Sequence, residues 1–99
     1  MNDWPFADPP DVATFTVRQI IDGTRPILLV SHDADDGGWQ FLTGEALSMD
    51  DALLVALKEI VLRDPSVLLL ADLPTGWQAS RRDAEAQWVR ELLPPEGEA

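Results

Sequence analysis

The 99-residue chain has no cysteine, no tyrosine, one histidine and only seven lysines and arginines. Without cysteine there can be no disulfide and no thiolate metal site, which removes the staple-dependent secreted miniprotein as a class. With a single histidine, a transition-metal site would have to take nearly all its ligands from carboxylates. Seven cations against eighteen acids leave a formal charge of -11. That field opposes phosphate backbones and anionic membrane surfaces, so neither nucleic acid nor membrane is expected as a direct partner. The apolar runs, such as residues 67–71, fall far short of the roughly 20 residues of a membrane span. MNDWPFADPP has neither the basic nor the apolar region of a signal peptide, and a cytoplasmic location is expected.

What is present argues for a packed core. Hydrophobic residues make up 45% of the chain and charged residues 25%, with four tryptophans, which suits an ordinary globular domain and not a disordered segment. The length fits a single domain over 1–99. Three prolines and three aspartates in residues 1–14 predict an irregular N-terminal arm, with Trp4 and Phe6 placed to anchor it. The residues after Pro94-Pro95, 95–99, are expected to be disordered.

Between these ends the pattern predicts an α+β domain, a small antiparallel sheet covered by helices. Thr16 with Gln19 forms a capping box, Phe15 is placed to staple onto Ile20, and Gly23 suits a left-handed cap, giving a helix at about 17–22. ILLVSH and WQFLTGE flank an Asp- and Gly-rich turn and predict a central hairpin at about 27–43. Ser48 and Asp51 open a long helix at 49–63 carrying Leu53, Leu54, Leu57, Ile60 and Val61 at helical spacing. Asp64-Pro65 reads as N-cap and first position of a shorter helix at 65–71. A short third strand is expected at 77–79 and a last helix at 81–92, with Ala84, Trp88 and Leu92 on one side.

The chemistry-bearing residues gather in SHDADDGGWQFLTGE, residues 31–45. Asp33, Asp35 and Gly38 match positions one, three and six of a calcium loop, but position five is Gly37 and position twelve is Gly44 where a bidentate glutamate is needed. His32 with Asp33 and Asp36 is the remaining metal candidate set, and it lacks the ligand number of an established site. Ser31 and His32 are adjacent, so on a strand they point to opposite faces and cannot act as nucleophile and base. Asp36 and Glu45 could serve as an acid–base pair across the hairpin. No catalytic residue and no cofactor is implied. For binding, the turn aspartates Asp33, Asp35 and Asp36, together with Trp77, are the residues expected to meet a partner.

DDGGWQFLTGE, followed after a helix by DPSVLLLADLPTGWQASR, resembles a group of small bacterial proteins and, more loosely, the domain-of-unknown-function family assigned as polymorphic-toxin immunity protein thirty-three. The positions that carry the likeness are Asp36, Gly38, Trp39, Phe41, Gly44 and Glu45, then Asp64, Pro65, Pro74, Gly76 and Arg81. The resemblance covers roughly residues 27–81. The family's Arg-Glu before the hairpin is His32-Asp33 here. The resemblance implies a protein that works by binding another protein.

Charge, the missing catalytic motif and the resemblance together favour a non-enzymatic, acidic, cytoplasmic protein-binding module of the immunity type. Its expected partner is a protein with a basic surface. The alternatives are a small metal-dependent hydrolase centred on His32 and Asp36, and an acidic mimic of nucleic acid. The oligomeric state is not legible in the sequence.

Overall fold

A computed structural model describes residues 4–93. Six strands form one mixed sheet: β1 (Ala13–Val17), β2 (Leu29–His32), β3 (Trp39–Leu42), β4 (Ala52–Ala56), β5 (Trp77–Ser80) and β6 (Val89–Leu92). Their spatial order is β4-β1-β3-β2-β5-β6. Every neighbouring pair is antiparallel except β1 and β3, which run parallel with Phe15 opposite Gln40. The helical pieces are α1 (Arg18–Ile21), α2 (Leu57–Arg63) and two 3-10 turns, Met49–Asp51 and Pro65–Leu70. The α+β class holds, and the sheet is larger than the small antiparallel one expected.

Alternation within the strands sorts the two faces. Thr14 and Thr16 of β1, Val30 of β2, Trp39 and Phe41 of β3 and Ala79 of β5 lie on one face and are buried. Leu57 and Ile60 of α2 and Val67 and Leu70 of the second 3-10 turn are buried with them. The two threonines are tolerated because each hydroxyl donates to a carbonyl, Thr14 Oγ1 to Val55 O at 2.9 Å and Thr16 Oγ1 to Phe41 O at 2.8 Å. On the other face, cross-strand register lines up Leu54, Phe15, Gln40, Ser31, Gln78 and Glu91.

The hairpin forms as read, with Leu29 to His32 opposite Leu42 to Trp39. The third strand is also present, pairing with β2 from Leu29–Ser80 to His32–Trp77. Three expectations fail. Residues 49–63 are not one helix: Ala52–Ala56 is a strand on β1, and the helix starts only at Leu57. A five-residue ladder with β1 outweighs the helical preference of Ala and Leu, and Leu54, expected on the buried helix face, is 74% exposed. Residues 81–92 are not a helix either, since β6 pairs with β5 from Trp77–Leu92 to Ser80–Val89. The chain before β6 is held by Arg81 Nη1 donating to Ala84 O and by Asp83 Oδ1 accepting from Glu85 N–H. The helix at 17–22 shortens to Arg18–Ile21, because Thr16 belongs to β1 and spends its hydroxyl on Phe41 instead of on a cap.

Gly23, at φ +83°, does end α1. Asp64 Oδ1 does cap the second turn, accepting from Ser66 N–H at 3.0 Å, but the segment winds as a 3-10 helix. The arm's last two residues, Ala13 and Thr14, join β1. Residues 4–12 are irregular but fixed: Trp4 packs on Phe6, Phe6 meets Trp39 edge-on at 5.3 Å, and Asp8 Oδ2 accepts from Trp39 Nε1. The tail expected at 95–99 lies outside the described residues.

Candidate functional site

The turn between β2 and β3 is closed by Asp33 N–H donating to Gly38 O at 2.8 Å and Gly37 N–H to Asp33 O at 3.0 Å. Gly37 sits at φ +71°, a conformation that glycine adopts without a Cβ penalty. The aspartates do local work first. Asp33 Oδ1 accepts from Asp35 N–H at 2.7 Å and Asp36 Oδ1 from Gly38 N–H at 2.8 Å, the side-chain turn chemistry that makes aspartate frequent in such loops. Each carboxylate keeps a second oxygen. Asp35 and Asp36 are exposed and Asp33 is half-buried.

Two of those acids border a cleft. Asp33, Asp36 and Gly38 form one wall of an open depression of about 250 Å³, and Ala13, Phe15 and Leu54 supply an apolar side from β1 and β4. The strand order makes this possible: β1 lies between β3 and β4, so the start of β1 faces the turn of the hairpin. Among the described residues no cation forms an ion pair with these carboxylates. Arg18, Arg25, Arg81, Arg82 and Arg90 are paired with Asp51, Glu45, Asp64, Asp83 and Asp72, and Arg63 donates to Ile21 O. An apolar floor beside unpaired carboxylates fits a lysine or arginine side chain, whose stem covers hydrophobic surface while its head meets charge.

His32 does not join this cluster. Its ring stacks on Trp39 at 3.9 Å with a 13° interplanar angle, and Nδ1, 2.7 Å from Leu73 O, must carry the proton because a carbonyl only accepts. His32 therefore ties β2 to the segment before β5. Ser31 lies on the opposite face and reaches Gln40 Oε1 at 3.4 Å. Among the described residues no group of three or more histidine, aspartate or glutamate side chains is disposed to hold a metal ion. Asp36 and Glu45 fall at opposite ends of β3, and Glu45 faces Arg25 at 3.7 Å, so the structure does not bring the carboxylate pair together. Trp77 is half-buried against the core, opposite His32 on β5.

Phe15 and Leu54 line the cleft without a signal in the sequence. Phe15 reads as a helix staple and Leu54 as a buried helix position; only the β1–β4 pairing sets them side by side. The basic doublet divides its roles. Arg82 is exposed beside Asp83, whereas the Arg81 side chain, 3% exposed, bonds Asp64 at 2.6 Å and covers the Trp88 ring at 4.1 Å. Trp88 Nε1, buried close by, has no hydrogen-bond partner among the described residues.

The described helices include none long and apolar enough to cross a membrane. No family model, no curated protein and no solved structure matches the chain.

Proposed function

We propose that this chain is a non-enzymatic protein-binding module of the cytoplasm that takes a basic side chain of a protein partner into the cleft between Asp33, Asp36, Phe15 and Leu54. The observation that carries the reading is the pairing of unanswered carboxylates with an apolar side in one depression, in a chain whose arginines are engaged elsewhere. The net charge of -11 would speed encounter with a basic surface. The resemblance to immunity protein thirty-three points the same way, toward a neutralising partner of a basic toxin.

The test compares the wild-type chain with Asp33→Asn/Asp36→Asn as bait in the source cells, and asks whether either protects cells against the product of a neighbouring gene. The reading predicts one basic protein retained by the wild type and lost by the variant, with thermal stability little changed. Equal retention by both would sink it.

A further inference from the structure

The two edges of the sheet are built differently. β6 carries Arg90 and Glu91 and is followed in sequence by Pro94-Pro95, devices that discourage strand addition. β4, reading ALLVA, has no charge and no proline. The β1–β4 ladder fixes which of its backbone groups are free. Leu57 N–H donates to Val12 O at 2.8 Å and continues the register Ala13–Ala56 to Val17–Ala52. By the alternation of an antiparallel ladder, Leu53 and Val55 also face β1, and Ala52, Leu54 and Ala56 turn their groups outward. Ala52 N–H is taken by Met49 O. Among the described residues nothing bonds the Ala52 carbonyl, either group of Leu54 or the Ala56 N–H, which are left at the edge.

We propose that β4 pairs with β4 of a second copy, antiparallel, with Leu54 on the two-fold axis. The free groups are self-complementary in that register. Leu54 exchanges two hydrogen bonds with Leu54 of the other copy, and each Ala52 carbonyl accepts from the Ala56 N–H across from it. The two sheets then continue as one. Leu54, 74% exposed in a single copy, stacks on its symmetry mate. The flanks agree in charge. The same register carries Asp50, just before β4, toward Lys58 of the other copy, just after it. Lys58 is the chain's one lysine and, among the described residues, the one cation whose side chain has no ion pair or hydrogen bond. The pairing shares Leu54 with the cleft of the proposed function, but Asp33 and Asp36 are not at the edge, so Asp33→Asn/Asp36→Asn tests that function without touching the pairing.

Sedimentation equilibrium up to about millimolar protein tests it, in about 0.3 M salt, where the Debye length is below about 10 Å and the repulsion of two acidic copies is largely screened. The weight-average mass should rise from 10.9 kDa toward twice that value. Leu54→Pro removes an N–H that the β1 ladder does not use, and Leu54→Lys sets like charges on the axis; either should leave a folded monomer. A carbodiimide applied to mixed light and isotope-labelled chains should link Lys58 of one copy to Asp50 of another. A mass that stays at the monomer value, a dimer that survives both variants, or Lys58 links between copies only to other carboxylates would overturn the proposal.

Discussion

Arg81→Ala is a substitution from which the fold predicts a large loss through polar contacts alone. The side chain is 3% exposed and makes four hydrogen bonds: Nε to Ile27 O at 3.0 Å, Nη1 to Ser66 Oγ at 3.1 Å and to Ala84 O at 3.2 Å, and Nη2 to Asp64 Oδ2 at 2.6 Å. It joins the start of β2, the cap of the second 3-10 turn and the loop before β6, and covers Trp88. Truncation leaves Asp64 Oδ2 and the Ile27 and Ala84 carbonyls without the arginine's donors, while Asp64 Oδ1 keeps Ser66, and breaking a buried pair costs about 3–5 kcal/mol. Asp64 retains 23% exposure, so water recovers part of the loss and the lower end applies. At roughly 4–8 °C per kcal/mol for a domain of this size, melting should fall by about 12–25 °C. Urea unfolding followed by tryptophan fluorescence measures it, and Asp64→Asn should cost much less in an Arg81→Met background than alone. A loss below about 1 kcal/mol, or equal cost of Asp64→Asn in both backgrounds, would refute the reasoning; either figure would belong to a surface pair.

Further expectations are more local. The Asp51 carboxyl is held below its usual range, chiefly by hydrogen bonds from Arg18 and then Gln19. Its contribution to stability is therefore full above the ordinary value of about 3.9 and is lost as pH falls through the lower, folded value. In Arg18→Ala, NMR titration should show the Asp51 midpoint moving upward, and no movement would contradict the pairing. Gly76→Ala should cost about 1 kcal/mol or more in urea unfolding because the residue sits at φ +84°; a Cβ there would meet Ala34 Cβ at an ordinary 3.5 Å, so the cost is in the backbone. His32→Ala should lower stability by about 1–3 kcal/mol through the lost bond to Leu73 O and the lost stack on Trp39. Calorimetry with zinc should give the same trace for the variant as for the wild type, and a zinc-binding isotherm lost only in the variant would restore the metal reading.

The parts of the fold that sequence makes legible are those set by local chemistry. The Asp-Gly turn, the Asp64 cap and the Gly23 helix end all depend on neighbours within a few residues, and each is found. The failures are long-range. Residues 52–56 carry leucines that fit a helix, and 84–92 show an apolar spacing of four; strand pairing with β1 and β5 decides both. Thr16 is a reasonable N-cap by type, but its hydroxyl finds Phe41 O across the sheet. The site divides the same way. The turn aspartates are visible in the sequence, whereas their apolar companions Phe15 and Leu54 become neighbours only through the β4-β1-β3 order.

The most direct test of the binding reading is an NMR titration of isotope-labelled protein with an oligo-arginine peptide at about 0.15 M salt, set beside the same titration of Asp33→Asn/Asp36→Asn. The account predicts saturable shifts confined to Ala13, Phe15, Asp33, Asp36, Gly38 and Leu54, abolished in the variant. Shifts spread over the acidic surface and unchanged by the variant would contradict it, leaving net charge as the whole of the attraction.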